Sequence, residues 1–186
     1  TVRRIIEDVK RDRDKALLEY TNRFDQTQYA LEELQVAPEE IKSAYGHLKP
    51  SEIEALKLAA RNIRGFHERQ LLENSWHYEE NGVKLGQMVR PLDRVGIYVP
   101  GGKASYPSSI LMNAIPAKVA GVEEIIMCSP TPRREFRPHC LVAADIVGVS
   151  KIFKVGGAQA VAALAYGTAL IPKVDKIVGP GNIFVA

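Results

Sequence analysis

Four short apolar runs mark the second half of this chain, centred near Ile97, Ile126, Phe153 and Ile177 and spaced roughly 25–30 residues apart. That interval is the length of one strand–helix–strand unit. Helical patterns fill the gaps at residues 107–120, 138–147 and 157–166. Pro107 and Pro138 suit the first turns of two of these helices, where a missing N–H costs nothing. Pro116 falls inside the first of them and is expected to kink or split it. Short strands alternating with helices specify a doubly wound parallel sheet with right-handed crossovers.

Three of the strands run straight into glycine turns. They read Val95-Gly96-Ile97-Tyr98-Val99-Pro100-Gly101-Gly102-Lys103, then Lys151-Ile152-Phe153-Lys154-Val155-Gly156-Gly157-Ala158-Gln159, then Lys176-Ile177-Val178-Gly179-Pro180-Gly181-Asn182. Parallel sheets bind ligands outside the carboxyl ends of their strands, where glycine lets a ligand approach the backbone. Tyr98, Gln159 and Asn182 are the polar side chains at these ends and should converge on one rim. Each has a plainer reading. Tyr98 alternates with apolar neighbours and suits the core, and Asn182 suits a helix N-cap. Gln159 opens an Ala-rich helix, where a buried amide needs a partner or a ligand. Lys103 and residues 105–109 border the same rim as weaker candidates. The first turn is not a phosphate loop, because the four-residue gap before Gly-Lys is missing and Ala104 replaces the magnesium-binding hydroxyl. The third lacks the dinucleotide fingerprint, since Phe184 stands at its third glycine.

The first half is different. Residues 94–186 hold 15 of the 47 charged residues, and residues 1–93 hold the other 32. Solvated helices followed by a buried parallel sheet give this contrast, which places a boundary near residue 90. Residues 2–22 carry apolar side chains at near-helical spacing and read as one amphipathic helix. Pro38-Glu39-Glu40 opens a second helix, and Ser51-Glu52-Ile53-Glu54 matches a capping box for a third that runs to about Leu72. Residues 76–89 read as a hairpin turning at Glu80-Asn81-Gly82. The expectation is an α/β chain: a helical region with a short hairpin over 1–90, then a doubly wound, incomplete Rossmann-like parallel sheet over 91–186. The sheet's last strand is followed by only a few residues, so the 186 residues are expected to be part of a larger functional unit.

Composition excludes several function classes. A net charge of +3, with no basic run interleaved with aromatics, argues against nucleic acid as partner. No 18-residue apolar segment argues against a membrane span, and no signal peptide is evident. The two cysteines, Cys128 and Cys140, have no metal-ligand spacing and read as buried core thiols of a cytoplasmic protein. His47, His67, His77 and His139 show no ligand spacing and read as surface residues. No nucleophile elbow occurs and no carboxylate pair sits on the glycine-rich rim.

Four segments carry a family resemblance: Asp14–Asp25, Arg94–Gly102, Val155–Thr168 and Pro172–Asn182. With the motifs Val-Gly-Ile-Tyr, Gly-Gly-Ala-Gln and Gly-Pro-Gly-Asn they resemble histidinol dehydrogenase over nearly the whole chain. The resemblance implies oxidation of L-histidinol through L-histidinal to L-histidine with NAD as acceptor, a zinc ion near the substrate, and an intertwined homodimer. It carries NAD contacts onto Tyr98, Gln159 and Asn182. Members of the family are about twice as long. Their catalytic Glu-His pair and zinc ligands fall beyond this chain, so no catalytic or metal residue is assigned within it. The alternatives are a catalytically silent NAD-binding or assembly module and a dehydrogenase of a related amino alcohol.

Overall fold

The computed structural model describes residues 1–71, 75–101 and 106–181. Four strands form one all-parallel sheet: β3 (Arg94–Tyr98), β4 (Glu124–Cys128), β5 (Lys151–Phe153) and β6 (Lys176–Val178), in the order β5-β4-β3-β6. The chain winds outward from β3 through α5 (Pro107–Val119) to β4, then through α6 (Pro138–Ile146) to β5. Helix α7 (Gly157–Tyr166) then brings it back across the sheet to β6, on the far side of β3. This reversal places a switch point between β3 and β6, the position where such sheets take ligands.

Both faces of the sheet are buried, and the alternation of side chains shows how. Val95, Ile97, Ile125, Met127 and Ile152 enter one apolar cluster with α5 and α6. Tyr98, Ile126, Cys128 and Phe153 enter a second with α7. The first seventy residues complete these layers. Helices α3 (Pro38–Gly46) and α4 (Pro50–Glu68) pack on the α5/α6 side, and α1 (Val2–Asp12) and α2 (Asp14–Asp25) on the α7 side. The free edge of β5 is covered by residues 34–36: the Val36 N–H donates to the Ile152 carbonyl at 2.9 Å and the Lys154 N–H to the Leu34 carbonyl at 2.7 Å. An unpaired strand edge is thereby closed.

Three sequence expectations need correction. Residues 2–22 form two helices, broken at Arg13, which takes φ 52° and ψ −125°. The Arg13 guanidinium donates to the Tyr166 and Gly167 carbonyls at 3.2 and 2.8 Å, so a distant anchor overrides the local periodicity. The third helix begins at Pro50, ahead of Ser51, with Lys49 as N-cap; its capping contact is the Lys49 N–H donating to the Glu52 carboxylate at 2.7 Å. Pro116 does not split α5, which runs through it as one element. Pro116 falls in the last turn, and Met112, whose carbonyl loses its N–H partner, is an exposed residue.

The hairpin forms as expected. β1 (Trp76–Glu80) pairs with β2 (Val83–Gln87), and Asn81 and Gly82 turn between them at φ 51° and 75°. Positive φ at both turn residues matches the right-handed twist of the strands. Every residue of both strands is exposed, Trp76, Tyr78, Val83 and Leu85 included.

Candidate functional site at the strand ends

The rim is built at the carboxyl ends of β3, β5 and β6. Tyr98 is the last residue of β3. Its ring is buried among Ile126, Cys128 and Phe153, while its hydroxyl accepts the Gly157 N–H at 3.1 Å. The core and rim readings of Tyr98 both hold, for different atoms. Burial pushes its phenol pKa up from 10, opposed by the Gly157 bond, with the Asp25 charge adding to the rise. The phenol therefore keeps its proton at neutral pH and its O–H is a donor. Gly157 takes φ 61°, a left-handed turn that suits glycine, and starts α7 directly beneath this hydroxyl.

Gln159 is the third residue of α7 and only 1% exposed. Its Oε1 has no hydrogen-bond partner among the described residues. An unsatisfied buried acceptor costs about 1–3 kcal/mol, a cost that a donor from a ligand would remove. Tyr98 and Gln159 line one cleft of about 570 Å³ together with Gly156, Gly157, Phe24 and Asp25. The positive end of the α7 dipole faces the same glycine turn, which favours negatively charged ligand groups there. Tyr98 also borders a second cleft of about 330 Å³ at the switch point, with Pro100, Gly101, Pro130, Pro180 and Gly181. A Cβ on Gly179, at φ 141°, would drive into the Tyr98 carbonyl oxygen, so the third glycine turn lies directly against the end of β3. Asn182 falls outside the described residues, as do Lys103 and Ser105.

Sequence reasoning gave Asp25 no role. It is the last residue of α2, 7% exposed, on the inward stripe that also carries Leu17 and Thr21. Its Oδ2 accepts the Thr131 N–H at 2.9 Å, and no Lys, Arg or His among the described residues pairs with it. Burial holds its carboxyl above the usual range, opposed by the Thr131 bond. The available signal was an acid in register with buried positions four and eight residues before it.

Both cysteines are buried, and burial pushes the Cys128 thiol well up, which makes it inert. His139 Nε2 lies 3.0 Å from Glu52 Oε1, tying α6 to α4. Among the described residues no group of three or more His, Cys, Asp or Glu is placed to hold a metal ion. No described helix is long and apolar enough to cross a membrane.

A doubly wound parallel sheet with glycine turns, a buried amide and a helix amino end at one rim defines a chain of the doubly wound α/β class. The profile of the histidinol dehydrogenase family matches residues 1–186, and the chain belongs to that family. It is 59% identical over 186 residues to the histidinol dehydrogenase of Syntrophotalea carbinolica, covering 100% of this chain and 43% of that protein. It is 60% identical over 183 residues to the histidinol dehydrogenase of Geobacter sulfurreducens, covering 98% and 43%. A crystal structure of histidinol dehydrogenase from Elizabethkingia anophelis matches with a TM-score of 0.92 at 39% identity, over 99% of this chain and 42% of that one. The chain thus spans less than half the length of these relatives.

Proposed function

We propose that this chain forms part of the NAD platform of an enzyme that oxidises L-histidinol through L-histidinal to L-histidine, in histidine biosynthesis. The observation that carries the reading is the pairing of Tyr98 with the unpartnered, fully buried Gln159 in one cleft at the strand ends. The family membership supplies the substrate. NAD, when bound, supplies the hydride acceptor. The residues present fit it: Tyr98 offers a protonated hydroxyl, Gln159 an unsatisfied amide, and the α7 amino end a dipole suited to a pyrophosphate. Asn182 is proposed as the third contact. No acid–base role is assigned to a residue of this chain. The zinc implied by the resemblance finds no ligand set among the described residues, so no step is drawn through it.

The proposal extends to a cytoplasmic homodimer. Two buried cysteines that form no disulfide suit a reducing compartment. A two-stranded hairpin exposed on both faces is marginal in water alone, and a second copy is the partner proposed to cover it.

Gln159→Ala in the full chain tests the site. NAD binding should weaken about tenfold by titration, the loss of one well-placed amide contact, while zinc content stays unchanged. Equal NAD affinity would sink the Gln159 assignment. Histidinol-dependent NADH formation tests the activity. NAD binding without turnover would favour a silent binding or assembly module, and faster turnover of another amino alcohol would reassign the substrate.

A further inference from the structure

In doubly wound sheets that bind dinucleotides, an acidic side chain near the carboxyl end of the second strand receives the adenosine ribose hydroxyls, and a nearby arginine accepts the 2′-phosphate where NADP is used. Here the second strand in winding order is β4, and it continues as Ser129-Pro130-Thr131-Pro132, with no acid. Asp25 reaches that position from the end of α2. Its carboxylate is fixed at the exit of β4 by the Thr131 N–H at 2.9 Å, and a buried Tyr29 hydroxyl 3.0 Å from Thr131 Oγ1 holds the loop in place.

Asp25 also lines a cleft of about 410 Å³ between the ends of β3 and β4, with Phe24, Pro100, Pro130 and Phe136 as apolar walls. Asp25 lines the Tyr98/Gln159 cleft as well, so it stands where the two meet. Arg133 and Arg137 line the first cleft too, and Glu135 is the other acid there. A nine-tenths buried carboxylate with one neutral N–H for company and no cation paired with it among the described residues is costly in the free protein. Hydroxyl donors from a ligand would satisfy it. A phosphate would be repelled by it despite the two arginines.

We propose that Asp25 accepts the ribose hydroxyls of the adenosine half of the dinucleotide and makes the site select NAD over its 2′-phosphorylated form. This rests on the NAD reading above. The test is the dissociation constants of NAD, NADP and 2′-deoxy-NAD, measured by titration calorimetry on the full chain and on Asp25→Asn, which keeps an acceptor for the Thr131 N–H. The variant should bind NAD about tenfold more weakly and NADP no more weakly than wild type, so that the preference shrinks at least tenfold. On the unaltered protein, 2′-deoxy-NAD should bind at least fivefold more weakly than NAD, a result that does not depend on the variant folding. Wild type that binds NAD, with the preference unchanged in Asp25→Asn or with 2′-deoxy-NAD bound as tightly as NAD, would overturn the Asp25 role alone. Wild type that binds neither dinucleotide would overturn the NAD reading together with it.

Discussion

Asp25 places a negative charge where the described residues offer one N–H and no paired cation, and that has a cost in stability that can be measured apart from binding. Below the ordinary aspartate value of about 3.9, the group is protonated in folded and unfolded chains alike. As pH rises through that value the unfolded chain ionises first, because the folded carboxyl is held higher. Wild type therefore loses stability relative to Asp25→Asn from about pH 4 upward, and the gap is complete above the folded pKa. At neutral pH the variant should be more stable by about 1 kcal/mol, or roughly 2–4 °C in Tm for a chain of this length. Equal melting curves at neutral pH would contradict this. Residue by residue, the site was only partly legible in the sequence. Tyr98 and Gln159 could be read because strand ends and glycine turns are local patterns. Asp25 could not, because Thr131 lies 106 positions away and an acid at a helix end normally faces water.

The strands are also fixed from their amino ends. Arg94, which opens β3, pairs with Glu124 at the start of β4, and Glu124 also meets Lys151, which opens β5, at 3.1 Å. The Arg94 guanidinium donates to the Lys173 carbonyl at 3.0 Å, and the Arg94 N–H to the Asp175 carboxylate at 2.9 Å, just ahead of β6. One charge cluster thus aligns four strands. The Arg94 bond, followed by Lys151, holds the Glu124 carboxyl below its usual range against the opposing effect of desolvation. Its contribution is present above the unfolded value and lost as pH falls through the lowered folded one. Glu124→Gln should cost about 1 kcal/mol at pH 7 in urea unfolding, with the difference closing in acid. A cost that does not depend on pH would assign the loss to packing. Elements were more legible than residues, because strands buried on both faces give continuous apolar runs. The break at Arg13 was not, since its cause is a pair of carbonyls near residue 167. The start of α4 was missed because Glu52 caps a lysine backbone rather than a serine.

At the scale of the molecule, the exposed apolar side chains gather on the hairpin, with Leu58 and Phe66 exposed on α4. Trp76, the single tryptophan of these residues and 53% exposed, reports directly on what covers that surface. If a second copy does so, Trp76 emission shifts to shorter wavelength as the full chain is concentrated, and Leu85→Glu halves the molar mass in light scattering. A wild-type chain that is monomeric throughout, with Trp76 already shielded, would mean that another part of the same chain covers the hairpin. The Arg13 anchor has a consequence in time. Its acceptor at Gly167 is 154 residues further along, and the α7 face on which α1 rests spans Gly157–Tyr166. At the ribosome's pace of about 5–20 residues per second, α1 waits roughly 8–30 seconds for its seat on α7 to be made. Through that interval Ile5, Ile6 and Val9 have only the α2 part of their cluster to settle on. The nascent chain therefore carries a half-covered apolar helix until the ligand rim itself is nearly finished.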